Sequence, residues 1–424
     1  MRNTNKKGFT IVELVIVVAV IAILAAVLIP TFSSIIKKAN IASDTAVAKN
    51  LNTAAISASA DTFDQAIAAV KDAGYLLANL NAKADGCYFV WDDVNNQFLL
   101  VDTKNDYKVI YSNTDASEKN AKNWLVAVSD LEAIADIEAA GCGVKKIITS
   151  TEDLKAALTV GGEVYVDESV ILDKDNVIVI KDDSVNVTLN LGESSLNTNG
   201  ILDDTYPIEL NAGTLTINDG VIGVQSSSVD ADGLVVNIPV WAEGTSNVNI
   251  NGTTFYVPQN GYIVLGAAVN GTSGKHTVTN ATINAEYIGL YADGFITIEN
   301  TVINSKGRAI WACNHNGEGN EGLTTIKSGT YIGGNSSWAT ITTCGGFVEI
   351  EGGDFIANEG TKLFQILDNG ELSHRSTVVI TGGTFNGVDF ADLDEAEWNA
   401  LCGPNTKATI SADGKTVTIG YSAE

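Results

Sequence analysis

Between residues 9 and 29 the chain reads FTIVELVIVVAVIAILAAVLI, an apolar run broken by one charge, Glu13. At ~1.5 Å per residue such a run is long enough for a ~30 Å hydrocarbon layer, which predicts a membrane-spanning helix. Beyond Pro30, residues Ile35, Ile36, Ala39, Val47 and Leu51 extend an apolar stripe along an otherwise polar helix. Residues 61–80 repeat that spacing at Phe63, Ile67, Val70, Leu77 and Leu80 and predict an amphipathic helix. Three short runs follow, CYFVW, QFLLV and KVIY, separated by turn signals at Asn95-Asn96 and Asn105-Asp106. They predict an antiparallel meander. Residues 112–123 are polar, and Trp124, Val128, Leu131 and Ala135 predict another helix over 124–140.

From about residue 146 the period changes. Ser150 stands where it can cap a short helix, STEDLKAAL, and short β-rich runs then recur between Asn-Gly and Asp-Gly turns. One strand type is anchored at Leu189, Ile217, Ile250, Val278, Ile298, Ile326, Ile350 and Ile380, with gaps of 28, 33, 28, 20, 28, 24 and 30 residues. Five residues after seven of these anchors stand Ile222, Phe255, Ile283, Ile303, Tyr331, Phe355 and Phe385. A second strand type is centred on Ile208, Ile238, Ile263, Ile288, Ile310, Ile341 and Phe364. Repeats of this kind stack so that each buries its apolar row against its neighbours. The pattern resembles the right-handed parallel β-helix of pectate-lyase-like proteins, with an antiparallel β-sandwich as the alternative. DLDEAEWNAL predicts a short acidic helix and KATISADGKTVTIG a hairpin, a plausible cap for the last coil.

Composition narrows the function classes. Lys+Arg number 25 against 51 Asp+Glu, a formal net charge of −26, and no basic patch interrupts the acidic field. Such a surface repels phosphate backbones, so nucleic acid is not an expected partner. Three His and five Cys are too few for several metal sites or a disulfide scaffold. With 45% hydrophobic residues the chain has enough apolar material for a core.

The apolar run is preceded by MRNTNKKG, whose Arg2, Lys6 and Lys7 hold the start on the cytoplasmic side, and no A-x-A cleavage site follows it. KKGFTIVEL followed by Pro30 resembles the class III leader of type IV pilins and pseudopilins. The resemblance covers roughly residues 1–55. It implies that a prepilin peptidase cuts after Gly8, that Phe9 becomes N-methylated, and that Glu13 and Pro30 serve assembly with other pilin subunits. A carboxylate in a membrane helix is costly and is kept for a partner, here the amine of Phe9 on a neighbouring subunit. Pro30 removes one backbone donor and is expected to kink or open the helix.

The domain reading is a leader over 1–8, a transmembrane and fibre-core helix over 9–55, a small helix-plus-meander head over 56–115, a helical connector over 116–145, a parallel β-helix over 146–390 and a cap over 391–424. Alternation points Thr188, Asn190, Thr216, Asn218, Asn249, Asn251, Thr277, Thr279 and their successors outward, a wall rich in Thr and Asn. The outward row of the second strands reads Glu209, Pro239, Val264, Gly289, Trp311, Thr342 and Gln365, without a carboxylate pair for glycoside hydrolysis. Arg308, beside Lys306, is the one basic group worth weighing for lyase chemistry; Arg375 is the other arginine past the leader. Asp173, Asp175, Asp182 and Asp183 lack a fixed metal-ligand spacing, His276 falls on an apolar strand position, and His315 and His374 lie in polar loops.

Trp241, Tyr262, Tyr287, Tyr291 and Trp311 are expected to lean to one outer side, where aromatic faces beside Asn and Thr bind sugar rings. Cys313 and Cys344 occupy matched coil positions and form one candidate disulfide, Cys87 and Cys142 another. No cofactor and no metal is expected. The sequence thus reads as a membrane-inserted precursor of an extracellular pilus or cell-surface subunit, minor or at the tip, displaying a β-helix for adhesion or glycan contact. A pseudopilin of a secretion or DNA-uptake system and a pilus-tethered polysaccharide lyase or glycosidase are the alternatives.

Overall fold

The computed structural model describes residues 11–75, 80–114, 121–127, 130–148, 150–166, 170–172, 177–197, 206–223, 238–257, 261–267, 273–313, 322–345, 347–367, 377–387 and 394–421. The chain divides into two compact units, Met1–Val126 with Ala135–Val144, and Ala127–Ile134 with Lys145–Glu424.

In the first unit, helix α1 (Ile11–Ser57) is long and apolar enough to cross a membrane, and its side chains through Ile36 are mostly exposed. It runs through Pro30 without interruption, so the proline does not open it. One missing donor leaves the neighbouring i→i−4 bonds in place. Ile35, Ile36 and Ala39 stay exposed, and packing begins later, where Ala48, Leu51 and Ala55 are buried. There Asn52 donates to the Phe98 carbonyl and accepts from the Phe98 N–H, and Asp44 accepts from the N–H groups of Lys83 and Ala84. Helix α2 (Phe63–Asp72) is capped by Thr62 and stops short of the expected span. Gly74, at φ +83°, ends it, and its N–H bonds to the Lys71 carbonyl. Leu77 lies outside the described residues.

Strands β1 (Cys87–Asp92), β2 (Gln97–Asp102) and β3 (Lys108–Tyr111) form the expected antiparallel meander. The helix expected over 124–140 is corrected in its first part: Ala121–Ala127 is a strand, β4, pairing with β1 so that Trp124 lies opposite Val90. Helix α3 (Leu131–Ala139) starts only after it. Trp124 is fully buried, with Tyr88 and Tyr107 rings 6.2 and 5.6 Å away, and this packing overrides its helical spacing.

In the second unit, β5 (Val144–Ile148) pairs in parallel with β6 (Gly162–Val166), and α4 (Thr151–Val160), capped by Ser150, connects them. Three parallel ladders follow. In the first, Leu189, Ile217, Ile250, Val278, Ile298, Ile326, Ile350 and Ile380 stand directly opposite one another through successive strands. In the second, Ile222, Phe255, Ile283, Ile303, Tyr331, Phe355 and Phe385 do the same. The pairing is parallel throughout, which sets aside the antiparallel sandwich.

The third ladder corrects the expected register. Ile208, Val240, Ile263, Leu290, Ile310, Ile341 and Phe364 face inward, so Val240 and Leu290 replace Ile238 and Ile288. A shift of two residues preserves which face each side chain takes, so alternation cannot detect it. The inward rows form one apolar core. At the far end Trp398, on the short helix Glu395–Leu401, packs 5.1 Å from Phe385, and the hairpin Thr406–Ile410 with Thr416–Tyr421 pairs antiparallel onto Gly383–Asn386.

Candidate functional site

The outward row of the third ladder runs Glu209, Trp241, Val264, Tyr291, Trp311, Thr342 and Gln365. Trp241 and Tyr291 therefore occupy the places expected for Pro239 and Gly289. Of the five aromatics picked out in the sequence, Tyr262, Tyr291 and Trp311 join in one run of rings, Trp241 meets a ring outside the five, and all five are half-buried. Tyr262 and Tyr291 rings lie 6.0 Å apart, and Tyr291 meets Trp311 edge-on at 5.0 Å. Burial first, then the neighbouring Cys313 and Asp293, pushes the Tyr291 hydroxyl well above its ordinary range.

Trp311 is already occupied on one face. The Arg308 guanidinium lies 4.1 Å from its centre and 3.5 Å from that of Trp338, and Arg308 Nε donates to Thr342 Oγ1 at 3.0 Å. Arg308, 2% exposed, is thus held between indoles rather than displayed on a surface turn. Burial lowers its pKa, and no carboxylate among the described residues is paired with it. Lys306 instead bonds Glu286. Sequence reasoning missed Trp338, which lies in a loop where alternation carries no signal.

Tyr206 was missed for the same reason. Its ring stacks on Trp241 at 4.5 Å and 9°, a geometry the other four aromatics do not reach. Trp241 Nε1 donates to Glu243 Oε2 at 2.9 Å, and Asn211 Nδ2 donates to the other oxygen of that carboxylate. A flat aromatic pair beside Glu243, Asn211 and Glu209 joins an apolar face to hydrogen-bonding groups, as sugar recognition requires.

The Thr/Asn wall engages its own amides. Asn218 donates to Asn190 at 2.9 Å and Thr277 to Asn249 at 2.9 Å. At the adjoining corner Asn300 donates to Asn280 and Asn280 to Asn251, with Asn280 and Asn300 in the left-handed region. This corner ladder ties repeats together and leaves fewer amide groups for a ligand.

His276 is buried, its Nδ1 accepting from the Val248 N–H at 3.2 Å. Asp182 and Asp183 accept from Ser184 and Thr245 in turns, and no group of three metal-ligating side chains occurs among the described residues. All five cysteines are free thiols, so neither candidate disulfide is formed in this structure. Cys313 and Cys344 nonetheless stand opposite each other on adjacent strands. Cys87 is buried in β1 and Cys142 half-buried. Gly8, Phe9, Asp173, Asp175, His315, His374 and Arg375 lie outside the described residues, as does the Pro30 side chain. Glu13 sits on the exposed apolar part of α1.

Residues 3–29 match the prokaryotic N-terminal methylation motif. Over 50 residues the chain is 58% identical to the type IV wide pilus major component PilA4 of Thermus thermophilus, a match covering 12% of this chain and 36% of that protein. The chain thus spans about a third of the length of the curated relative it matches. No solved structure matches. The motif, the pilin relative and the long apolar helix together give this chain a type IV pilin-like amino terminus.

Proposed function

We propose that this chain is a type IV pilin-like fibre subunit, minor or at the tip, cut by a prepilin peptidase after Gly8 and assembled with other pilins through α1. In this reading the three ladders close into a right-handed β-helix, carried outside the cell for adhesion or glycan contact without enzymatic turnover. The observation that supports it is the coupling, in one chain, of a pilin-like start with an acidic stack of parallel strands far larger than the helix-plus-meander unit. A large display unit suits a subunit present in few copies.

The stacked pair Tyr206–Trp241, with Glu243 and Asn211 beside it, is the surface this reading assigns to sugar contact. It is preferred over Trp311, whose ring Arg308 covers.

Fibres sheared from cells carrying the full chain test both parts. The intact mass should correspond to a chain beginning at methylated Phe9, and Glu13→Ala should be cleaved yet fail to enter fibres, because it loses the charge that pairs with a neighbouring amine. Tyr206→Ala with Trp241→Ala should abolish binding to a glycan array while leaving incorporation intact. Sheared fibres that never contain the chain would overturn the fibre reading, and undiminished array binding by the double variant would overturn the assigned surface.

A further inference from the structure

Lys145, Glu163, Tyr165 and Asn190 share one face of three neighbouring parallel strands. Lys146 stands opposite Val164 across β5 and β6, which sets Lys145 beside Glu163, and Tyr165 stands opposite Asn190 on the strand Asn186–Asn197. The Glu163 carboxylate joins the amine to the carboxamide. Lys145 Nζ donates to Glu163 Oε2, and Asn190 Nδ2 donates to Oε1 at 3.1 Å. The Tyr165 hydroxyl donates to the same Oε1 at 2.9 Å and accepts from Lys145 Nζ at 3.1 Å, while its ring lies under that ammonium, 5.3 Å from it. A carboxylate only accepts, so Asn190 must turn its NH2 toward Glu163. Its Oδ1 is then left to accept from Asn218 Nδ2, at 2.9 Å.

We propose that Lys145 and Asn190 condense into an intramolecular isopeptide bond, with Glu163 as the catalytic acid–base residue. Each contact has a role in that reaction. Glu163 takes a proton from the Lys145 ammonium, and the freed amine attacks Asn190 Cγ. Negative charge gathers on Oδ1, where the Asn218 N–H is already aimed. Glu163 then passes protons to the departing nitrogen, to which it is already hydrogen-bonded. The Nζ–Cγ bond forms, the Cγ–Nδ2 bond breaks, and two of the three lysine ammonium protons leave with Nδ2 as ammonium. Charge and atoms balance, and Glu163 ends as the carboxylate it began as. No oxidant or cofactor takes part.

The side chain exposures, 18% for Lys145 and 41% for Glu163, leave a path for ammonium to escape. Burial works to raise the Glu163 carboxyl, but its bonds to Lys145, Tyr165 and Asn190 outweigh it and hold it below its ordinary value. The base is therefore in its accepting form at neutral pH. The bond would tie β5 to the strand Asn186–Asn197 and close the chain between them into a covalent loop, restraining the unfolded state as a disulfide does. A surface protein under shear gains from such a tie, but the chemistry does not depend on the fibre reading.

Mass spectrometry of the purified full chain decides the matter, with or without fibres. The chain should be lighter by one ammonia, and digestion should yield one branched peptide joining Lys145 to Asn190, with no tryptic cut at Lys145. Asn190→Ala, which lacks the leaving group, should keep its full mass. Glu163→Gln, which keeps the hydrogen-bonding shape but takes no proton, should slow linkage by about 10²–10⁴-fold. Mildly alkaline incubation should speed it, because the attacking group is a free amine. A full-mass or merely deamidated wild-type chain without the branched peptide after that incubation would overturn the bond. Linkage at the wild-type rate in Glu163→Gln would overturn the role of Glu163.

Discussion

Arg308 places its guanidinium carbon 3.5 Å from the centre of the Trp338 ring, with Trp311 on its other side at 4.1 Å. Burying a cation is costly unless something replaces its water, and here two indole faces and Thr342 Oγ1 do so.

Arg308→Lys should lower stability by about 1–2 kcal/mol, since an ammonium cannot stack as a planar guanidinium does. A double-mutant cycle of Arg308→Lys with Trp338→Ala, followed by urea unfolding, should return a coupling of about 0.5–2 kcal/mol. Zero coupling would mean that the rings merely cover the arginine.

Phe355 lies between Tyr331 and Phe385, each ring 4.9 Å away and tilted by 15° and 9°. Removing the middle ring leaves a cavity the flanking repeats cannot fill, because their backbones are fixed by the ladder. Phe355→Ala is expected to cost about 3–5 kcal/mol in urea unfolding, and Phe355→Leu clearly less. Equal losses for the two would show that ring stacking rather than volume is what matters there.

His276 should make the second unit acid-labile. Burial lowers its pKa from 6.5 to about 4, so the unfolded chain binds a proton that the folded chain refuses. The stabilisation is complete above pH 6.5 and declines as pH falls toward 4, by roughly 3 kcal/mol in all. In His276→Gln, which can still accept from the Val248 N–H, that slope between pH 6.5 and 4 should disappear. Persistence of the slope in urea titrations would assign it to carboxylates instead.

Cys313 and Cys344 face each other across adjacent strands, a spacing of ~4.8 Å that a disulfide can bridge. Burial, then the neighbouring Cys344, pushes the Cys313 thiol far above its ordinary range, so little thiolate is present and oxidation should be slow. Incubation with oxidised glutathione should convert the pair over hours, and non-reducing peptide mapping should then join 313 to 344. Alkylation of both thiols after that treatment would rule the link out. Cys87, whose thiol burial and Asp102 raise to about 11, should resist alkylation until the chain unfolds.

Local properties of the chain were legible without a structure. A helix that is apolar on all sides needs no partner in its own chain to be recognised, and Ser150 and the Asn-rich turns act on their immediate neighbours. The anchors from Leu189 to Ile380 could also be read, because each repeat must present the same apolar step to the next. Long-range pairing decided the rest. Trp124 has helical spacing but is a strand residue because β1 lies beside it. Trp241 and Tyr291 entered the outward row by a two-residue shift that leaves every side chain on its expected face, so only the interstrand hydrogen bonds could select it. Tyr206, Trp338 and the Lys145–Glu163–Asn190 set come from segments separated in sequence, and parallel stacking alone brings them together.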